Sequence, residues 1–224
     1  MHSQLFLLEM RSIWRTRRMR QLLILNAMMV IIFGVQFILD QAKFSLMLLA
    51  KALLIPIIAV GLTMFAFSKD GAFYPAIQTK PYNALQYVQA KYWFAAFLCF
   101  PCFLLVQAFD LLAGRVEWGL NLAFLTISIG IIVPSVIFAA AFDEKRINTS
   151  RSAFFNYEGV AWVRQQLPTL PLILPLIAPK FVAKWWIILL VLGGVSLAAY
   201  GRITARIAAL LHKRKYLMLE GFRR

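Results

Sequence analysis

Long apolar runs, separated by short polar and charged segments, dominate the pattern of this 224-residue chain. A helix that crosses the hydrocarbon core of a membrane needs about 20 mostly apolar residues, and its backbone polar groups are satisfied within the helix. The runs are continuous rather than alternating, which disfavours a membrane β-barrel. The pattern predicts an all-α, polytopic membrane protein with a bundle of six transmembrane helices. The predicted spans are 21–39, 44–67, 92–113, 119–142, 163–178 and 185–200.

Two of these spans contain residues that do not suit a straight membrane helix. Lys51 lies near the start of the second span, and we expect its ammonium group to extend outward to the membrane surface. The fifth span is short and rich in proline, which removes a backbone donor and breaks a helix. We therefore expect a broken or re-entrant outer segment between spans 5 and 6. The prolines concerned are Pro168, Pro171, Pro175 and Pro179.

The distribution of basic residues predicts how the chain is oriented in the membrane. The sequence is 62% hydrophobic, yet its net charge is +15. Nineteen Lys and Arg residues lie on the side of the membrane that holds both termini, and five lie on the other side. Because basic loops stay in the cytoplasm, we predict cytoplasmic termini, which agrees with an even number of spans. We expect one transmembrane domain over 1–224 in a bacterial cytoplasmic (inner) membrane, with an interfacial segment (1–20), a bundle (21–200) and a basic cytoplasmic tail (201–224).

The N-terminal segment predicts a basic helix that lies in the membrane plane. Arg11, Arg15 and Arg18 fall on one face of such a helix, while Phe6 and Trp14 lie largely away from it. Anionic headgroups attract the basic face, and the membrane interface favours Trp. An ordinary basic flank that only fixes the topology explains the same residues.

The loop after the second span is the first candidate contact surface. Glycine and proline leave room for only a short turn there, and we expect its aromatic residues to be exposed. Exposed aromatics favour a docking surface for another protein, although an interfacial aromatic belt has the same composition. Asn83 is a candidate N-cap of a helix that continues into the third span. The candidate coupling residues are Phe73, Tyr74, Pro75, Lys80, Pro81 and Tyr82.

A second candidate contact surface follows the fourth span. The charged stretch 143–146 is typical of a solvated surface. The aromatic stretch 154–162 favours a contact surface or an interfacial helix. The residues singled out within it are Asn156, Tyr157, Glu158 and Gly159.

Residues suited to catalysis or cofactor binding are scarce. His2 and His212 are the two histidines, too few to supply the three His ligands of a catalytic zinc site. Cys99 and Cys102 lie inside a span, where we expect them to pack rather than react. No G-x-x-x-x-G-K-[ST] phosphate-binding loop occurs. We therefore predict that the chain is not an enzyme, holds no cofactor or metal, and depends on another subunit for energy.

Three local strings resemble a known family. They are Lys69-Asp-Gly-Ala-Phe-Tyr with Gln89-Ala-Lys-Tyr92, Asn156-Tyr-Glu-Gly159, and Arg214-Lys-Tyr-Leu-Met-Leu-Glu-Gly-Phe-Arg223. With six spans and inner termini, the chain resembles the permease part of an ABC-2-type transporter, in particular an uncharacterised bacterial ABC-2-like permease family. It is similar to the C-terminal half of longer members.

The resemblance implies a transmembrane permease subunit of an ATP-driven ABC exporter. A second permease chain, either an identical copy or a paired half, would complete the translocation path. A separate cytoplasmic ATPase would bind ATP and Mg, and the inner loop 69–91 would transmit its closure to the spans. Membrane lipids are the other expected partners, and nucleic acid is not expected.

Two other functions remain open. The main alternative is a membrane anchor or assembly subunit of a larger membrane complex, without a transport path of its own. A membrane-embedded lipid enzyme would need clustered acidic or His residues at the interface, and only Asp143 and Glu144 offer such a pair.

Overall fold

The structure, a computed structural model, describes residues 2–39, 44–79, 83–115, 117–148 and 184–223. Every regular element in these ranges is helical, which confirms the all-α fold. A 3₁₀ turn covers Ser68–Asp70, and a π turn covers Ser128–Ile132. The α-helices are α1 His2–Arg15, α2 Arg17–Leu39, α3 Phe44–Leu54, α4 Ile57–Thr63, α5 Tyr74–Thr79, α6 Ala84–Leu112, α7 Trp118–Ile127, α8 Val133–Ala140, α9 Trp185–Ala198 and α10 Tyr200–Arg223.

Three helical stretches in the described residues are long and apolar enough to cross a membrane. They are α2, α6 and the stretch Trp118–Ala140, which is formed by α7, the π turn and α8. The pair α9 and α10, bent by 61° at its junction, makes a fourth if it is counted as one span. The described residues therefore contain three or four candidate spans and do not support six.

The predicted second span is interrupted at Pro56. α3 ends at Leu54 and α4 begins at Ile57, because Pro56 has no N–H to donate to the preceding turn. At 11 and 7 residues, neither helix alone reaches the length that a membrane requires. The predicted fifth span and its four prolines lie outside the described residues.

The bundle has a buried centre and an apolar periphery. The apolar window of Trp118–Ala140 is 72% buried, whereas that of α2 is only 17% buried. The exposed side of α2 carries large apolar residues such as Ile24, Met28, Ile31 and Ile32. A continuous apolar surface of this size on a helix of spanning length matches a lipid-facing position.

Buried lysines mark the two ends of the bundle. One end holds Glu9 beside Lys91, near the start of α6, and is called here the Glu9 end. The other holds Lys51 beside Asp110, near the end of α6, and is called the Lys51 end. α10 begins at the Glu9 end, where its first residue, Tyr200, stacks on Tyr92 with ring centroids 5.9 Å apart.

Candidate functional site

Five side chains form a buried, charge-balanced network at the Glu9 end. Lys91 Nζ lies 2.6 Å from Glu9 Oε1 and 2.7 Å from Asp70 Oδ2. Lys69 forms a second ion pair with Glu9. The Tyr87 hydroxyl donates to Asp70 Oδ2 at 2.5 Å. These residues, here called the Glu9 cluster, connect three elements: α1, the 3₁₀ turn and α6.

The amphipathic pattern of α1 positions Glu9. Leu5, Glu9 and Ile13 recur at every fourth position and are all buried, so they share one face of the helix. Phe6 packs edge-on against Phe94 of α6, with ring centroids 5.8 Å apart. The apolar face thus fixes α1 on α6 and brings the carboxylate to Lys91.

The charges around Glu9 determine its ionisation. Burial by itself raises the pKa of a carboxyl group. The charges and hydrogen bonds of Lys69 and Lys91 outweigh that effect and hold the pKa of Glu9 at about 2. Glu9 is therefore ionised at neutral pH, and it supplies a counter-charge to both lysines.

The segment that follows the cluster is held from a second side. Tyr74, the first residue of α5, is fully buried against Phe222 of α10, with ring centroids 5.4 Å apart. Its hydroxyl lies 3.7 Å from Met218 Sδ. Ile147, after α8, donates its N–H to the Ser68 carbonyl. Residues 68–74 are thus attached to α1, α6, α10 and the segment that follows α8.

The candidate coupling residues divide into three groups. Phe73 is 71% exposed and Pro75 is also exposed, as predicted for a contact surface. The expectation that Tyr74 is exposed is wrong, because its ring packs into the core beside α10. Lys80, Pro81 and Tyr82 lie outside the described residues.

The second candidate surface and the outer broken segment also lie outside the described residues. Their residues are Asn156, Tyr157, Glu158, Gly159, Pro168, Pro171, Pro175 and Pro179. Asn83 is an N-cap as predicted, since its side chain accepts from Leu85 N at 3.3 Å. Cys99 and Cys102 are buried free cysteines, which confirms their packing position.

A second polar network occupies the Lys51 end. Lys51 Nζ lies 2.7 Å from Asp110 Oδ1 and 2.7 Å from Glu117 Oε2. Asn121 Nδ2 donates to Asp110 Oδ2 at 2.6 Å and to Gln107 Oε1 at 2.9 Å. These five residues, here called the Lys51 cluster, connect α3, α6 and α7. The expectation that Lys51 reaches the membrane surface is wrong, because two carboxylates hold its fully buried ammonium group inside the bundle.

Ion pairing dominates both clusters. Each buried lysine is paired with two carboxylates, Lys91 with Glu9 and Asp70, and Lys51 with Asp110 and Glu117. In the part of the chain that the structure describes, no group of three or more His, Cys, Asp or Glu side chains could hold a metal ion. The arrangement is suited to fixing helices and loops relative to one another.

The sequence as a whole matches one family model. That family is described as a family of unknown function (DUF5687), and the match covers residues 2–224. The chain belongs to DUF5687. No curated protein and no solved structure matches it. The family match therefore covers both clusters and the segment between them.

Proposed function

We propose that the chain is a transmembrane permease subunit of an ATP-driven exporter. A second permease chain would complete the translocation path, and a separate cytoplasmic ATPase with ATP and Mg would supply energy. The substrate-conducting part would be the helical bundle, and the segment around Phe73 would receive the ATPase.

One observation supports this assignment most directly. A coupling element needs an exposed anchor for its partner and firm attachments to the spans that must move. Phe73 is 71% exposed, yet the residues before and after it are fixed by Asp70 to α6 and by Tyr74 to α10. A force applied at Phe73 would therefore be transmitted to both α6 and α10.

We further propose six spans with the Glu9 end in the cytoplasm. Asn148 follows Ile147, which bonds to Ser68 at the Glu9 end. Lys184 precedes Trp185, which packs on Phe124 of α7 with ring centroids 6.1 Å apart. The two described residues that flank 149–183 thus lie toward opposite ends of the bundle, which favours one further crossing over 163–178.

Co-purification tests the transport function. The tagged chain is extracted in a mild detergent, its partners are identified by mass spectrometry, and ATP hydrolysis is measured. We expect an ATPase and a second permease chain. Extra subunits without any ATPase would contradict the proposal and favour the membrane-anchor alternative.

Phe73→Ala then tests the contact itself. Loss of a buried aromatic anchor costs about 2 kcal/mol or more at an interface, so the variant should lose most of its ATPase. Tyr216→Ala is the matched control, because Tyr216 is an equally exposed aromatic (71%) on α10 and should retain the ATPase. Full association of the Phe73 variant would exclude this segment as the coupling surface. Tyr74 is unsuitable for this test, because its removal would disrupt packing.

Cysteine labelling tests the orientation. The native Cys99 and Cys102 are buried, so they should contribute little background. Gln4→Cys at the Glu9 end should resist a membrane-impermeant reagent in intact cells. Leu112→Cys, at a 71% exposed position of the Lys51 end, should react. The opposite pattern would reverse the topology.

A further inference from the structure

A groove of about 700 Å³ lies on the side of the bundle, between α8 and the bend that joins α9 to α10. Gly130, Pro134, Phe138 and Phe142 line one wall at every fourth position. Residues on both sides of the 61° bend line the facing wall. The bend opens the space because α10 turns away from α8 instead of continuing beside it.

The groove has about the length of one membrane leaflet. From Gly130 to Phe142 a helix rises about 18 Å, compared with about 15 Å for half of a 30 Å hydrocarbon core. The groove starts near the middle of the Trp118–Ala140 stretch and finishes at the Glu9 end. An acyl chain fits this path lengthwise, with its polar head at the Glu9 end.

The charge of the groove is confined to that end. Its described lining contains two hydroxyl groups, no acidic side chain and one charged residue, Arg206. Arg206 is exposed and makes no ion pair within the described residues. The neighbouring Arg214 differs, because it pairs with Glu144 and lies 4.8 Å over the Phe142 ring. Arg206 is thus the cation available to an anionic group at the mouth of an apolar groove.

We propose that this groove binds one acyl chain of an anionic phospholipid from the surrounding membrane, with the lipid phosphate on Arg206. A guanidinium group binds phosphate oxygens through two parallel hydrogen bonds, and the apolar walls of the groove bury the acyl chain. The groove would bind lipid whether or not the protein is a transporter subunit.

Photochemical labelling in vesicles tests the site. The full chain is reconstituted in phosphatidylcholine vesicles that contain a small fraction of phosphatidylglycerol with a diazirine in its acyl chain. Labelled peptides are then mapped by mass spectrometry. We expect the phosphatidylglycerol probe to label residues 130–142, and the same probe with a phosphocholine head to label them far less.

Two variants separate the contribution of the lipid headgroup from that of the acyl chain. Arg206→Gln should lower phosphatidylglycerol labelling about tenfold, because a charge-assisted hydrogen bond contributes about 1.5 kcal/mol or more. Arg20→Gln is the matched control, since Arg20 is exposed on α2 and outside the groove. Ser135→Phe should block the groove and remove the label, whereas Ser135→Ala should keep it.

Three results would overturn the lipid site. One is equal labelling of residues 130–142 by the two headgroups, which would indicate unselective lipid contact. Another is equal labelling of the Arg206 and Arg20 variants. The third is loss of the label on adding excess soluble glycerol phosphate, which would show that the anion binds without an acyl chain.

Discussion

The two ends of the bundle use the same chemistry to connect different parts of the chain. At each end one buried lysine is paired with two carboxylates: Lys51 with Asp110 and Glu117, and Lys91 with Glu9 and Asp70. At the Lys51 end the joined elements are α3, α6 and the start of α7. At the Glu9 end, α1 and the 3₁₀ turn are joined to α6.

The elements that the two networks join indicate different roles. The side chains of Lys51 and Asp110 are both 0% exposed and Glu117 is 26% exposed, and this network continues to Asn121 inside the bundle. The carboxylates on Lys91 are 10% and 18% exposed, and they belong to segments outside the candidate spans. We infer that the Lys51 cluster holds the bundle together, whereas the Glu9 cluster attaches peripheral segments that can respond to a partner.

The largest effect is expected for Lys51→Met. It leaves the fully buried Asp110 and the partly exposed Glu117 without their cation, and breaking a buried ion pair such as Lys51–Asp110 costs about 3–5 kcal/mol. The free energy of unfolding in mixed detergent should fall accordingly. The double variant Lys51→Met with Asp110→Leu should recover part of the loss, because apolar replacement of a buried pair is often near neutral. If Lys51→Met alone left the free energy of unfolding unchanged, that result would contradict the role of the Lys51 cluster in holding the bundle together.

Two neighbouring glycines in α9 allow the contact between α9 and α7 to be tested. A Cβ on Gly193 would lie 2.6 Å from the Thr126 carbonyl carbon, whereas one on Gly194 would meet no atom within 4 Å. Because backbone of α7 cannot move aside easily, Gly193→Ala should destabilise the chain by about 1–3 kcal/mol. Gly194→Ala should be neutral or slightly stabilising. Equal stability of the two variants would disprove the close approach of α9 to α7.

Lys91→Met should have a smaller and more local effect. Glu9 and Asp70 are close enough to the surface to regain water, so we expect about 1–3 kcal/mol, the cost of an unsatisfied polar group. Limited proteolysis should cut α1 faster, while the bundle resists. Lys213→Met, at an exposed position of α10, should behave as the unaltered protein. Global unfolding of the Lys91 variant would remove the distinction between the two ends.

Acid should weaken the Glu9 cluster reversibly. The pKa of Glu9 is about 2 in the fold and 4.5 without its partners. Since the folded value is depressed, the stabilisation is complete above about pH 4.5 and is lost as the pH falls towards 2. By pH 3 the attachment of α1 should weaken by about 2 kcal/mol. Glu9→Gln should remove this pH dependence, and an unchanged profile in that variant would assign the effect to another group.

Helices were predicted well where residues close together in the sequence determine them. The apolar runs predicted 21–39 and 119–142, close to the observed α2 and Trp118–Ala140. Asn83 identified the start of α6 because capping depends on neighbouring residues only. The bend between α9 and α10 was not predicted, because residues 196–203 contain no proline. At the 61° bend, Tyr200 stacks on Tyr92 of α6, a contact between residues far apart in the sequence.

The clusters could not be predicted because their partners are far apart in sequence. Lys91 and Glu9 are separated by 82 residues, and position alone places Lys69 and Lys91 in the inner loop after the second span. A usable signal existed in α1, where Glu9 shares the periodicity of the buried Leu5 and Ile13. An acid on an apolar helix face requires a cation from another element. Tyr74 gave no such signal, since its neighbour Phe73 has similar chemistry and the opposite exposure.

Amide hydrogen exchange on the reconstituted chain tests the distinction between the two ends most directly. Exchange is compared in Lys91→Met, Lys51→Met and the unaltered protein. If the Glu9 cluster attaches peripheral segments, Lys91→Met should increase exchange in His2–Arg15 and Ser68–Asp70 while α7 and α9 stay protected. Lys51→Met should instead increase exchange across α3, α7 and α9. The same segments losing protection in both variants, or α1 staying protected in Lys91→Met, would contradict separate roles for the two ends.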